Sequence, residues 1–243
     1  DYLEGICNTR PFTDGTYAGL AGSMAEAGIG LSVALPAVTK VSQVDSINRF
    51  AAQYQEGPII SFGGIHPECG NYKEILRQVK DLGMKGIKLH PDYQDMYFND
   101  IRYKRLVAYA SELDLIITVH AGVDPKSPND VHCTTQMILE LVREVQPGKL
   151  VLAHLGANQL WDEVAAYLVG LDVYFDTAVV LDQMPKEQFI RIVRAHGADK
   201  ILFATDSPWA GQKEFVQILS DMPLTQEEKE LIFAKNACRL LGM

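Results

Sequence analysis

The sequence predicts a parallel α/β fold, a single (β/α)8 TIM barrel spanning residues 1–243. Three observations predict it. Short, almost continuously apolar runs rich in β-branched residues recur along the chain, as in strands covered on both faces. A longer amphipathic stretch follows each run, which fits parallel strands joined by right-handed helical crossovers. The 243 residues carry no Pro/Ser-rich linker, charge block or low-complexity tract, and this length is near the ~250 residues of one closed barrel. The alternative, an open doubly wound sheet, lacks its glycine-rich phosphate turn after the first strand.

The apolar runs are Leu31–Leu35, Ile59–Ile65, Gly86–His90, Leu115–His120, Leu150–His154, Val173–Asp176 and Ile201–Asp206. Seven runs leave a barrel one strand short of eight. Tyr2–Cys7 is a weak candidate for the first strand. The expectation adopted is that the first strand is missing from this chain and precedes Asp1, because Asn8–Thr13 reads as a loop leading into a helix. Thr13 or Asp14 can cap that helix, which runs to Ala27 and stops at Gly28 and Gly30. Asn71 precedes a helix over Tyr72–Leu82 that Gly83 ends, and Asn99 or Asp100 can cap one reaching Leu113. Thr134–Val145, Leu160–Leu168, Lys186–Ala195 and Gln212–Leu219 complete the helical patterns.

Twenty-two Lys+Arg against 31 Asp+Glu give a net charge of −9. Such an acidic surface repels phosphate backbones and anionic lipid, so nucleic acid and membrane are poor partners and a small molecule is the expected one. No apolar run approaches the ~18 residues of a membrane helix. Cys7, Cys69, Cys133 and Cys238 lie far apart with no CxxC pair. This spacing predicts small core residues in a reducing, cytoplasmic setting.

The polar residues that stand out close apolar strands. His90 ends Gly-Ile-Lys-Leu-His, His120 ends Ile-Thr-Val-His, His154 ends Leu-Ala-His, and Asp206 ends Ala-Thr-Asp. In a parallel barrel the carboxyl ends form one rim, where the fold gathers its catalytic groups. A lone histidine at a strand end usually hydrogen-bonds loop backbone. Three such groups, His120, His154 and Asp206, favour a shared pocket, and imidazole with carboxylate is a donor set for a catalytic divalent ion. His66, after Phe62–Ile65, is a further rim candidate, while His132 and His196 read as solvated. Trp161 and Trp209 fit core or pocket wall equally. Asp92, Tyr93 and Tyr97 read as a surface loop within reach of a substrate.

His-Ala-Gly at 120–122, His-Leu-Gly at 154–156, Thr-Asp-Ser-Pro at 205–208, Gly86-Ile87-Lys88-Leu89-His90-Pro91 and the tail Asn236-Ala237-Cys238-Arg239-Leu240-Leu241-Gly242 together resemble the amidohydrolase superfamily. The branch resembled is the one containing aminocarboxymuconate-semialdehyde decarboxylase. The resemblance implies a metal-dependent hydrolase or non-oxidative decarboxylase acting on a small, carboxylate-bearing molecule, with homodimers common. It implies His120 and Asp206 as metal ligands, with zinc expected and manganese the alternative. Asp206 would also handle a proton, and His154 would be a catalytic base or stabiliser that binds metal in binuclear relatives. Lys88 and His90 would bind the substrate carboxylate. The family's His-x-His pair is absent from these residues, so the metal site is incomplete without a preceding segment. The alternative reading is a degenerate, metal-free barrel acting as a binding or scaffold protein. A phosphoesterase barrel ranks behind both, because no phosphate cradle of arginines or glycines lies near the strand ends.

Overall fold

A computed structural model describes Gly5 and residues 10–243. The expectations on Tyr2–Cys7, Cys7 and the start of the Asn8–Thr13 loop therefore lie outside the described residues. All seven apolar runs contain strands: β1 (Ser32–Ala34), β2 (Ile59–Ser61), β3 (Gly63–Gly64), β4 (Gly86–Leu89), β5 (Ile116–Val119), β6 (Leu150–Leu152), β7 (Tyr174–Asp176) and β8 (Ile201–Leu202). The run Ile59–Ile65 supplies two of them, interrupted at Phe62. Every ladder is parallel, and the order β1-β2 and β3-β4-β5-β6-β7-β8 follows the chain without reversal. That sequential order is the winding of a TIM barrel, as the apolar runs predict, rather than of a doubly wound sheet.

Strand brevity follows from where the polar residues stand. The ladders of β4, β5, β6 and β7 stop at or just before the His or Asp that closes each apolar run, and the chain then leaves the sheet for the rim. Buried apolar side chains from β4 to β8 (Ile87, Leu89, Ile117, Val119, Leu150, Leu152, Phe175 and Ile201) join the main core with the inward faces of the helices. Ile60, Phe62, Ile116 and Val151 form a smaller cluster with Leu240 and Leu241 of the C-terminal helix Asn236–Leu241. Burial of a side chain of this size contributes about 1.5–3 kcal/mol.

Helix starts agree with the sequence where a cap side chain engages. Thr134 accepts the Met137 N–H at the start of Thr135–Val145, and Asp100 accepts the Arg102 N–H at the start of Ile101–Glu112. The first described long helix begins later than expected, at Tyr17, because Thr16 accepts the Gly19 N–H while Asp14 holds Thr16. A helix over Val44–Ala51 adds to those predicted. Its Asn48 clamps β3 from outside, donating to the Gly64 carbonyl at 3.0 Å and accepting the Gly64 N–H at 2.8 Å. Gly64 needs its missing side chain, since a Cβ there would drive into Val38.

Cys69 and Cys133 are buried and Cys238 is half-buried, all as free thiols. No helix among the described residues is long and apolar enough to cross a membrane.

Candidate active site

β4, β5 and β6 deliver His90, His120 and His154 to one end of the sheet. The parallel register pairs Leu89 with Val119 and Val119 with Leu152, so the chains leave their ladders side by side. The His120 N–H still donates to the Leu89 carbonyl at 3.0 Å, which fixes the rim at the first residue beyond β5. All three imidazoles are buried, and their rings touch. His90 stacks on His120 with centroids 4.2 Å apart, and His120 meets His154 edge-on at 4.8 Å. Tyr93 covers the outer face of His90 at 3.6 Å.

The loop after β5 returns over this cluster. Gly122 opens it at φ +85°, a left-handed value natural to glycine, with its backbone bridged to Asn158. Two residues later Asp124 turns inward. Its Oδ2 stands 3.5 Å from His120 Nε2 and 3.7 Å from His90 Nε2. His90, His120 and Asp124 are a buried trio whose ligand atoms lie within 4.8 Å of one another. The rings of His90 and His120 are parallel to within 8°, and His90 Nδ1 accepts the Tyr93 N–H at 3.4 Å, so in the neutral ring the proton sits on Nε2, facing Asp124. For His90 to hold an ion together with His120, its proton must move from Nε2 to Nδ1 and the Tyr93 contact must give way.

Hydrogen bonding assigns the tautomers. His154 Nδ1 faces the Ala178 carbonyl at 3.0 Å, and a carbonyl only accepts, so Nδ1 carries the proton. In the neutral ring Nε2 is then an acceptor, and His120 Nδ1 donates to it across 3.0 Å. The remaining nitrogen of neutral His120, Nε2, is a bare lone pair. It is buried and has no hydrogen-bond partner. An orphaned polar atom of this kind costs about 1–3 kcal/mol, and here it faces carboxylate oxygen rather than a donor. A cation is the group that such a donor set fits, a neutral imidazole nitrogen beside carboxylate oxygen.

Electrostatics favour the same state. Burial holds His90 and His120 well below the ordinary histidine range, reinforced for both by Lys88 and His154, so neither ring takes a proton readily. Burial raises the Asp124 carboxyl, partly offset by the Lys126 N–H it accepts. Lys88 sits inside the barrel on β4, its ammonium lowered by burial while Asp206 and Asp176 favour the charge. Asp176, at the end of β7, accepts the backbone N–H groups of His154 and Ala178, each at 3.0 Å. These bonds hold His154 at φ +62°, in line with Leu155 at +54°. Trp161 closes the turn by donating to the His154 carbonyl at 3.0 Å.

The structure thus brings four of the five sequence-selected residues, Lys88, His90, His120 and His154, into a buried group on β4–β6. Asp206 is exposed on the rim after β8 at φ +61°. It lies outside the trio of converging donor atoms. Three readings need correction. His132 is buried, not solvated, because its Nδ1 lies 3.1 Å from Asp92 Oδ1 under a stacked Tyr97. His196 is buried against Phe175, with ring centroids 3.9 Å apart, and its Nε2 donates to the Val173 carbonyl. Asp92 is 1% exposed rather than a surface loop residue. The short helix Pro91–Gln94 draws it down and the loop after β5 folds over it. His66 is also buried, its Nδ1 accepting the Glu68 N–H at 3.3 Å. Asp92 lies in the short helix Pro91–Gln94, which is too short to show a period, and Asp124 lies in a loop. Their only sequence signal is their place, two and four residues past a strand-ending histidine.

A parallel barrel with imidazoles and carboxylates converging at its strand ends defines the class of a barrel with a candidate metal centre. A family model described as amidohydrolase matches residues 16–243, and the chain belongs to that family. No curated protein matches it. Among solved structures it is similar to a 5-carboxyvanillate decarboxylase from Novosphingobium aromaticivorans complexed with manganese and 4-hydroxy-3-methoxy-5-nitrobenzoic acid (TM-score 0.76, 16% identity, 92% of this chain and 79% of that one). It is similar to a 2,6-dihydroxybenzoate decarboxylase from Rhizobium (TM-score 0.71, 17% identity, 100% and 92%). A TIM-barrel protein from Bordetella bronchiseptica matches at TM-score 0.76 and 21% identity over 93% and 83%.

Proposed function

We propose that this chain is a metal-dependent, non-oxidative decarboxylase of a small aromatic carboxylate. The observation that carries the reading is the unpartnered His120 Nε2, buried and facing Asp124 Oδ2 at 3.5 Å with His90 Nε2 alongside. The likeness to barrels named as decarboxylases of 5-carboxyvanillate and 2,6-dihydroxybenzoate, one of them complexed with manganese, supports the choice of chemistry and of ion. His120, Asp124 and His90 are the residues that would hold a divalent ion, manganese or zinc. Held there, such an ion would supply positive charge toward a bound carboxylate.

The remaining work falls to the chain itself. Lys88 is a buried cation in an acidic protein, and it pairs with the substrate carboxylate. His154 keeps His120 in the tautomer that presents Nε2. Asp206, exposed at the mouth, handles the proton: it delivers one to the ring carbon as the bond to the carboxylate breaks. Carbon dioxide leaves with no electrons gained or lost overall, and Asp206 recovers its proton from solvent.

The test is incubation of the metal-reconstituted chain with a panel of hydroxylated benzoates, reading carbon dioxide and the decarboxylated ring by chromatography. A parallel panel of amides and lactones is read for hydrolysis. Decarboxylation abolished by chelation and by His120→Ala is the expected result. Hydrolysis without decarboxylation overturns the choice of reaction. Absence of both, with no bound metal, returns the reading to a binding or scaffold barrel.

A further inference from the structure

The loop after β5 carries a cation over the site that the reaction proposed above leaves unused. Lys126 follows Asp124 by two residues, and Asp124 Oδ1 accepts its backbone N–H at 2.7 Å. Its side chain is exposed and reaches back across the rim to the short helix after β4. There the ammonium donates to the Asp92 backbone carbonyl at 2.9 Å and lies 5.8 Å from the centroid of the Tyr93 ring. Tyr93 stacks on His90, and His90 stacks on His120. Lys126 therefore stands at the solvent end of a column of rings whose inner end is the orphaned His120 Nε2.

A carbonyl and a ring face hold this ammonium in place without neutralising it. An ammonium has three N–H donors, and the Asp92 carbonyl takes one. The acids around it are committed elsewhere. Asp92 Oδ1 accepts the Ser127 hydroxyl and faces His132, Asp124 Oδ2 faces His90 and His120, and Asp130 Oδ1 accepts the Tyr97 hydroxyl. Among the described residues no carboxylate pairs with Lys126, whereas Lys104, Lys149, Lys200 and Lys235 each pair with one. Burial, then Lys88, His154 and Lys126 hold the His90 imidazole down, so this charge reaches the buried site. The whole chain carries −9 and repels an incoming anion. We propose that Lys126 is the entry contact for the anionic substrate: its ammonium draws a carboxylate to the mouth of the barrel, from which Lys88 receives it inside. The contacts with Asp92 and Tyr93 hold the ammonium over the mouth, which leaves less side-chain freedom to lose when the anion arrives. A molecule with the same ring and no charge gains nothing from it, so Lys126 selects carboxylates over their neutral amides. The inference rests on the decarboxylase reading above.

The experiment measures ligand association rather than turnover. Salicylate is the anionic probe and salicylamide its neutral counterpart, each mixed by stopped flow with the manganese-reconstituted chain while tryptophan fluorescence is followed. The proteins are wild type, Lys126→Gln, Lys126→Glu and Lys126→Arg, with thermal midpoints alongside. A rim charge acts mainly on the association rate and its salt dependence. Lys126→Gln is expected to slow salicylate association by about 3- to 10-fold and Lys126→Glu by more, with Lys126→Arg within about twofold of wild type. Salicylamide should associate alike with all four proteins. Raising salt from about 0.01 to about 0.1 M, which shortens the screening length from ~30 to ~10 Å, should narrow the gap between wild type and Lys126→Gln. Equal losses for salicylate and salicylamide would mean that Lys126 only holds the loop, and would overturn the inference. So would salicylate rates within about 1.5-fold in wild type, Lys126→Gln and Lys126→Glu, and in a wild type that decarboxylates a benzoate this leaves the decarboxylase reading intact. A wild type that neither binds nor decarboxylates any hydroxylated benzoate overturns both. Should Lys126→Gln lower the thermal midpoint, Lys126→Met, which keeps an apolar stem beside Tyr93, takes its place under the same criteria.

Discussion

His154 Nε2 lies 3.0 Å from His120 Nδ1, and the Ala178 carbonyl, 3.0 Å from His154 Nδ1, determines which ring donates. A backbone carbonyl after β7 thereby sets the proton position on a histidine after β5. His154→Ala removes the acceptor and frees the His120 ring to turn or change tautomer. Loss of such an outer contact weakens metal binding by about 10–100-fold. Chelator competition on the wild type and the variant measures it, and equal affinities would show that His120 orients itself.

The loop that carries Asp124 depends on Gly122. At φ +85° its backbone bridges to Asn158, with the Gly122 N–H donating to Cys133 and the Asn158 N–H to Ala121. A Cβ at 122 would collide with the Asn158 and Ala157 backbone, which has no freedom to yield. Gly122→Ala combines that clash with a disfavoured dihedral, and should cost at least about 2 kcal/mol. Urea unfolding monitored by circular dichroism tests this. A loss under about 0.5 kcal/mol would mean that the bridge is pliable.

Much of this arrangement is legible in the sequence, and the limits have physical causes. His90, His120 and His154 are visible because each interrupts an apolar run at the point where a parallel strand must end. Asp124 is not visible as a site residue, and Asp92 reads only as a surface residue within reach of a substrate, because the burial of both depends on the chain after β5 folding back onto Pro91–Gln94. His196 reads as solvated from its place late in a helix, but the aromatic face of Phe175 awaits it one layer in. The helix Val44–Ala51 does carry a signal in Val44, Asn48 and Ala51, spaced four and three apart. The polar Asn48 masks it, and Asn48 faces inward because the glycines of β3 leave backbone groups to clamp. Asp206 is legible as a strand-ending acid, yet position at a strand end does not dictate the direction of a side chain held at positive φ.

Acid should weaken the fold through its buried histidines. Burial lowers the His196 pKa, and the nearby Lys200 adds to the effect. The unfolded chain takes up a proton at this residue below about pH 6.5, whereas the folded chain resists it. The contribution is therefore full above about pH 6.5 and declines as pH falls toward the lower folded-state value. His196→Gln removes the titration. In the metal-free protein, the drop in urea midpoint between pH 7.5 and 5.5 should be smaller for the variant than for wild type. An identical drop in the two proteins would mean that His196 is protonated as readily when folded as when unfolded.

Lys88 separates stability from function. Its ammonium is buried on β4, where burial opposes the charge and Asp206, Asp176 and Cys133 offset it. A buried cation without a close partner is a burden on the folded state, and a flexible apolar chain of similar length relieves it. Lys88→Met should leave the thermal midpoint of the metal-free protein unchanged or raised. The same substitution removes the charge proposed to pair with the substrate carboxylate, so KM for a benzoate substrate should rise by at least about 10-fold, the equivalent of ~1.4 kcal/mol of lost pairing. Metal affinity should change little, because Lys88 donates no ligand atom. Steady-state kinetics, thermal melts and metal titration on the one variant read the three quantities apart. A fall in thermal midpoint with unchanged KM would assign Lys88 to the structure of the barrel instead.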